Sequence, residues 1–108
     1  MTTSTTVSTV PFWIDGKHHA AQGSREGSVT NSATGQVVRK VSFANGADID
    51  LAVASARAAF PAWRATTPLR RARILMRFRD LLEQRTPELA ALITEEHGKT
   101  LPDAAGSV

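Results

Sequence analysis

At 108 residues the chain suits one small domain, which would bury about 60 to 65 % of the surface its unfolded form exposes. Apolar residues make up 42 % of it but aromatics only 6 %, so a core built from these side chains alone is shallow and apolar helix faces awaiting a partner are expected. Thirteen Lys and Arg against ten Asp and Glu leave +3, and there is no cysteine; the first is too mild and too interleaved in sign to suggest a nucleic-acid-binding protein, and the second excludes a disulfide scaffold, a thiolate metal site and a cysteine nucleophile.

Met1 to Val10 are almost all Thr, Ser and Val. They carry neither the charged start nor the apolar run of a signal peptide, and the first arginine is Arg25, late for a mitochondrial presequence. Residues 1–11 are therefore expected to be a disordered polar tail, and the protein to be cytoplasmic. No stretch approaches the roughly 20 apolar residues that span a bilayer.

Two short hairpin-like units follow. Phe12-Trp13-Ile14, the pair Asp15-Gly16 and Lys17-His18-His19-Ala20 have the form of two strands around a two-residue type I′ turn. Ser28-Val29-Thr30, the turn cluster Asn31-Ser32-Ala33-Thr34-Gly35 and the β-branched run from Val37 to Val41 form the second.

Helix then dominates. Asn45 with Asp48 three residues on is a short-armed capping box, and Ile49, Ala52, Val53, Ala56 and Phe60 recur at helical spacing until Pro61, which should end or kink that helix. Thr67-Pro68 starts a second helix with Ile74, Leu75, Phe78, Leu81 and Leu82 on one face. Thr86-Pro87-Glu88 repeats the start signal for a third helix, with Leu89, Leu92 and Ile93 as its stripe and Gly98 as its stop. Thr100 with Asp103 caps a fourth, barely begun. The expected fold class is α/β, with two hairpin units, three amphipathic helices and the start of a fourth, and no boundary inside 12–108.

Residues that could carry chemistry mostly read as structure. His18 and His19 are adjacent and point to opposite faces of a strand, so they cannot share one metal, and His97 is distant. Carboxylates at Glu95 and Glu96, beside His97, oppose the helix dipole and suit ion pairing better than acid-base work. Arg70, Arg73 and Arg77 line one helix flank next to Asp80, Arg79 and Glu83 form an i, i+4 pair, and Arg71 projects onto the apolar face, where it should be buried against a carboxylate, Glu96 foremost. Gly98-Lys99-Thr100 lacks the earlier glycine of a phosphate loop, since Ile93 stands there.

Taken together, Phe12 to Lys17, the Asn31 to Gly35 turn, Asp48-Ile49-Asp50 through Phe60 with Trp63, Arg71-Ala72-Arg73-Ile74-Leu75 and Glu96-His97-Gly98-Lys99 resemble, in order and spacing, the N-terminal quarter of the aldehyde dehydrogenase superfamily. Leu92 to Ala104 is most similar to its CoA-acylating branch, the methylmalonate-semialdehyde dehydrogenases. The resemblance spans residues 12–108, with Ser32 standing where the common pattern has proline and Thr100 where most relatives also have proline. It implies the incomplete N-terminal segment of an enzyme that oxidises methylmalonate or malonate semialdehyde with NAD, through an enzyme thioester passed to CoA with loss of carbon dioxide, in a homo-oligomer, commonly a tetramer. The family's nucleophile, base, oxyanion donor and cofactor-binding segments lie outside the residues matched. No catalytic, cofactor-binding or metal-binding role is therefore expected of any residue here, neither NAD nor CoA is expected to bind the chain alone, and the remaining dehydrogenase polypeptide is its expected partner, with no nucleic acid and no membrane. The competing reading is another member of the superfamily, or a small helical protein that binds a partner or nucleic acid through Arg70, Arg73 and Arg77.

Overall fold

The computed structural model describes residues 7–108. Among them are strands β1 (Ser8–Val10), β2 (Phe12–Ile14), β3 (Lys17–His19), β4 (Glu26–Thr30) and β5 (Val37–Ser42), then helices α1 (Gly46–Ala65), α2 (Pro68–Gln84), α3 (Thr86–His97) and α4 (Leu101–Ala105). The described residues divide into two compact units, 7–30 with 35–60 and 31–34 with 61–108. The division falls inside α1.

In the first unit, β2 and β3 form the expected hairpin, with Phe12 opposite His19 and Ile14 opposite Lys17. Asp15 and Gly16 have φ of 53° and 73°, the double positive φ that a type I′ turn requires. Ile14 is buried at its tip. β4 and β5 pair antiparallel with an irregularity between Val29 and Thr30.

The polar tail expected over residues 1–11 divides in two. Its first six residues lie outside the described part of the chain, whereas Ser8–Val10 run parallel to Arg39–Val41 as an edge strand of the β4–β5 sheet. All three residues of β1 are exposed, so what holds this strand is the backbone ladder and not a buried face.

α1 begins at the expected box, closed in both directions. The Asp48 N–H donates to Asn45 Oδ1 at 2.9 Å, and the Asn45 N–H donates to Asp48 Oδ2 at 3.0 Å. Pro61 does not end this helix, which runs on to Ala65. Proline leaves the carbonyl four residues back without its donor, but Arg57 and Pro61 are both exposed, so water can take that carbonyl.

The second unit is helical. Thr67 caps α2, its hydroxyl accepting the Arg70 N–H at a long 3.4 Å, with Pro68 in the first turn. Thr86 does not cap α3. A single residue, Arg85, separates the two helices and occupies the cap position without a side-chain bond, while Thr86 Oγ1 donates back to Leu82 O at 2.9 Å. Because α2 ends only one residue earlier, its unpaired carbonyls compete for that hydroxyl. Gly98 stops α3 at φ 88°, its N–H bonded to Thr94 O, and Thr100 caps α4.

Neither unit encloses much. Among the described residues the buried apolar ones are Ile14, Ala90 and Ala104, and no large side chain is fully buried. The apolar stripes of α1 and α2 lie open, with Phe60 at 58 % and Phe78 at 57 % exposure.

Candidate functional site

Asp48 is the most constrained polar residue of the first unit. It is 3 % exposed and accepts from two backbone amides, Asn45 N through Oδ2 and Gln22 N at 3.1 Å through Oδ1. The Gln22 bond joins the segment after β3 to the start of α1, a long-range contact that no local pattern announces. A groove of about 330 Å³ beside it is lined by Phe12, Trp13, Ile14, Ala44, Asp48, Ile49, Ala52 and Val53. Both carboxylate oxygens already hold amides, so this group serves structure.

The three histidines are not brought together. His18 and His19 sit side by side on β3, and the His18 ring meets the edge or face of Trp13 across the hairpin, centroids 4.8 Å apart and planes at 82°. No group of three His, Asp or Glu side chains among the described residues is placed to hold a metal.

Gly98-Lys99-Thr100 is fully engaged in helix termination and initiation. Gly98 takes the left-handed conformation, Lys99 Nζ donates to Ser107 Oγ at 2.8 Å, and Thr100 Oγ1 accepts the Asp103 N–H at 3.4 Å. A phosphate cradle needs several backbone amides aimed at one point, and here the Gly98 and Asp103 amides are already taken by Thr94 O and Thr100 Oγ1.

Arg70, Arg73 and Arg77 are exposed along α2. Arg79 makes the expected pair with Glu83, Nη2 to Oε1 at 3.0 Å. The expectation for Arg71 fails: it is half-buried, and among the described residues its side chain makes no ion pair with Glu96 or any other carboxylate. Its projection onto the apolar face is right, but that face is open to solvent, and an arginine there keeps its hydration and needs no carboxylate.

Sequence reading missed the clasp at the other end of α3. Asn31 Oδ1 accepts the Ala33 and Thr34 N–H groups at 2.9 and 3.2 Å, which folds the Asn31–Thr34 turn so that Ser32 N donates to Glu95 O at 3.1 Å. A depression of about 590 Å³ lies alongside, lined by Asn31, Glu88, Ala91, Leu92, Thr94, Glu95 and Leu101. Thr94 Oγ1 is buried there without a hydrogen-bond partner among the described residues. Another depression, of about 360 Å³, is lined by Phe78, Leu81, Leu82, Arg85 and Leu89.

No helix among the described residues is long and apolar enough to cross a membrane.

Comparison with known proteins supplies the family. The chain is 48 % identical over 100 residues to malonate-semialdehyde dehydrogenase of Pseudomonas aeruginosa, covering 93 % of this chain and 20 % of that protein. It is 41 % identical over 105 residues to the human mitochondrial acylating methylmalonate-semialdehyde/malonate-semialdehyde dehydrogenase, covering 97 % and 20 %. A Sinorhizobium meliloti structure described as a candidate methylmalonate-semialdehyde dehydrogenase, complexed with NAD, superposes with a TM-score of 0.93 at 43 % identity, over 96 % of this chain and 21 % of that one. The chain thus spans about a fifth of the length of the relatives it matches. The model of the aldehyde dehydrogenase family matches residues 18–108, most of the chain: this chain belongs to the aldehyde dehydrogenase family.

Proposed function

We propose that this chain is the opening layer of an NAD-dependent, CoA-acylating methylmalonate- or malonate-semialdehyde dehydrogenase that works as a cytoplasmic homo-oligomer, a tetramer by family precedent. NAD, CoA and the aldehyde are handled by the rest of that polypeptide, and the residues present here supply scaffold. The observation that carries this reading is the open apolar face of α2, with Leu75, Phe78 and Leu81 each more than half exposed in a chain otherwise like enzymes about five times its length. Apolar area of that extent needs covering.

Chemistry argues the same way. Aldehyde oxidation through a covalent adduct needs a thiolate to attack the carbonyl, a donor for the resulting oxyanion and a base. The chain has no cysteine and therefore no thiolate to make that attack. Purified chain, freed of host dehydrogenases and given malonate semialdehyde, NAD and CoA, is expected to form no NADH above a protein-free control. Turnover that stays with the chain through repeated purification would overturn the reading.

A further inference from the structure

We infer that Asn45 is the chain's site of spontaneous covalent change, converting to aspartate and isoaspartate through a cyclic imide, and that the reciprocal Asn45–Asp48 box restrains the reaction. The inference is independent of the enzyme reading above. The chain has two asparagines, Asn31 before Ser32 and Asn45 before Gly46. In the reaction the Gly46 backbone nitrogen, losing its proton to hydroxide, attacks Asn45 Cγ; the N–Cγ bond forms, the Cγ–Nδ2 bond breaks and ammonia leaves. Water then opens the imide at either carbonyl. No oxidation or reduction occurs: one amide and one water become one acid and one ammonia.

Two features of the structure set the rate at Asn45. Gly46 carries no side chain to shield its nitrogen, and nothing lies within 4 Å of where a Cβ would stand. Against that, Asn45 Oδ1 is held by the Asp48 N–H at 2.9 Å and the Asn45 N–H by Asp48 Oδ2 at 3.0 Å. This fixes the amide in the capping rotamer, turned to the third residue of the helix and not to the next nitrogen. Reaction therefore requires the cap to open.

The product does not fit the box. Aspartate at position 45 sets a second carboxylate beside Asp48, which is 3 % exposed, and like charges in a partly buried site repel strongly. Isoaspartate also adds a methylene to the main chain at the first turn. Either product loosens the start of α1 and, through Asp48 Oδ1, the bond that holds the Gln22 amide.

The test is peptide mapping by mass spectrometry of the full chain, held at mildly alkaline pH with and without denaturant. Conversion is expected at Asn45 well ahead of Asn31, about 5- to 30-fold slower in the native chain than in the denatured one, as expected for a cap and its supporting bond. Asp48→Ala, which keeps the backbone N–H on Asn45 Oδ1 but removes the return bond to the Asn45 N–H, should raise the native rate part of the way to the denatured one. Because that variant also threatens the first unit as a whole, Gly46→Ala is decisive: alanine fits the open space and should suppress conversion in both conditions. Converted chain, separated by cation exchange, should exchange its Gln22 amide hydrogen faster. Equal native and denatured rates, faster loss at Asn31, or an unchanged rate in Gly46→Ala would each overturn the inference.

Discussion

Ser32 gives its backbone N–H to the carbonyl oxygen of Glu95 at 3.1 Å, across 63 positions of sequence. The bond fastens the Asn31–Thr34 turn to the last turn of α3, where helix carbonyls have no intrahelical donor. The resemblance to the family puts proline at this position, and proline has no N–H to give. Serine at 32 therefore adds a tie that proline would not make. The hydroxyl adds little: its contact with the same oxygen is 3.5 Å, the limit of a hydrogen bond.

Ser32→Pro should consequently cost about 1 kcal/mol relative to Ser32→Ala, the typical net value of one hydrogen bond. Ser32→Ala should match the unaltered chain within about 0.5 kcal/mol. Urea titration followed by helical circular dichroism separates the two; equal midpoints would show that the Glu95 carbonyl is satisfied otherwise.

Gly98 and Gly16 both hold positive φ, at 88° and 73°, but in different surroundings. A Cβ at Gly98 would stand 2.7 Å from Ser32 Oγ, whereas one at Gly16 would meet nothing within 4 Å. Gly16→Ala should show only the left-handed penalty of about 1 to 2 kcal/mol, and Gly98→Ala should exceed it. Adding Ser32→Gly to Gly98→Ala should recover the excess alone, as read by a double-mutant cycle in urea.

Asp48→Ala removes the acceptor for both Gln22 N and Asn45 N. Hydrogen bonds to a charged group are each worth about 1.5 to 3 kcal/mol, so the first unit should lose most of its order. Hydrogen exchange at Gln22 and through α1 should accelerate, while α3, in the other unit, keeps its protection. Acceleration spread evenly over both units would mean that the two fold as one.

Local chemistry was legible in the sequence, and contacts between distant segments were not. Asp15-Gly16, Asn45 with Asp48, Thr67-Pro68 and Gly98 announce their turns and caps because each is complete within a few residues. The pairing of β1 with β5 joins segments about thirty residues apart through backbone groups alone, which every sequence possesses. Thr86 carried the same signal as Thr67 but lost its cap role to the competing Leu82 carbonyl. Arg71 lies on the predicted face, yet periodicity tells which residues share a face and not what covers it. Of the functional reading, almost nothing came from single residues; the order of many ordinary ones over residues 12–108 carried the resemblance, and the family model matches 18–108 of them.

Open apolar faces make a prediction opposite to that for a closed core. Phe78 is 57 % exposed, so Phe78→Ser should fall well short of the 3 to 5 kcal/mol, roughly, that loss of a buried Phe costs, and it should lower the binding of a dye that fluoresces on apolar surface. A large loss of stability with unchanged dye fluorescence would place Phe78 inside a core.

The central claim is that these residues are scaffold whose chemistry resides elsewhere in the polypeptide. A chimera tests it most directly, with residues 18–108 replacing the matching segment of the Pseudomonas aeruginosa malonate-semialdehyde dehydrogenase. NADH formation from malonate semialdehyde, NAD and CoA is then followed by absorbance. The account predicts kcat and KM within about tenfold of the parent, equivalent to less than 1.4 kcal/mol of transition-state stabilisation. A chimera that folds and assembles as the parent does but turns over a thousandfold or more slowly would contradict it.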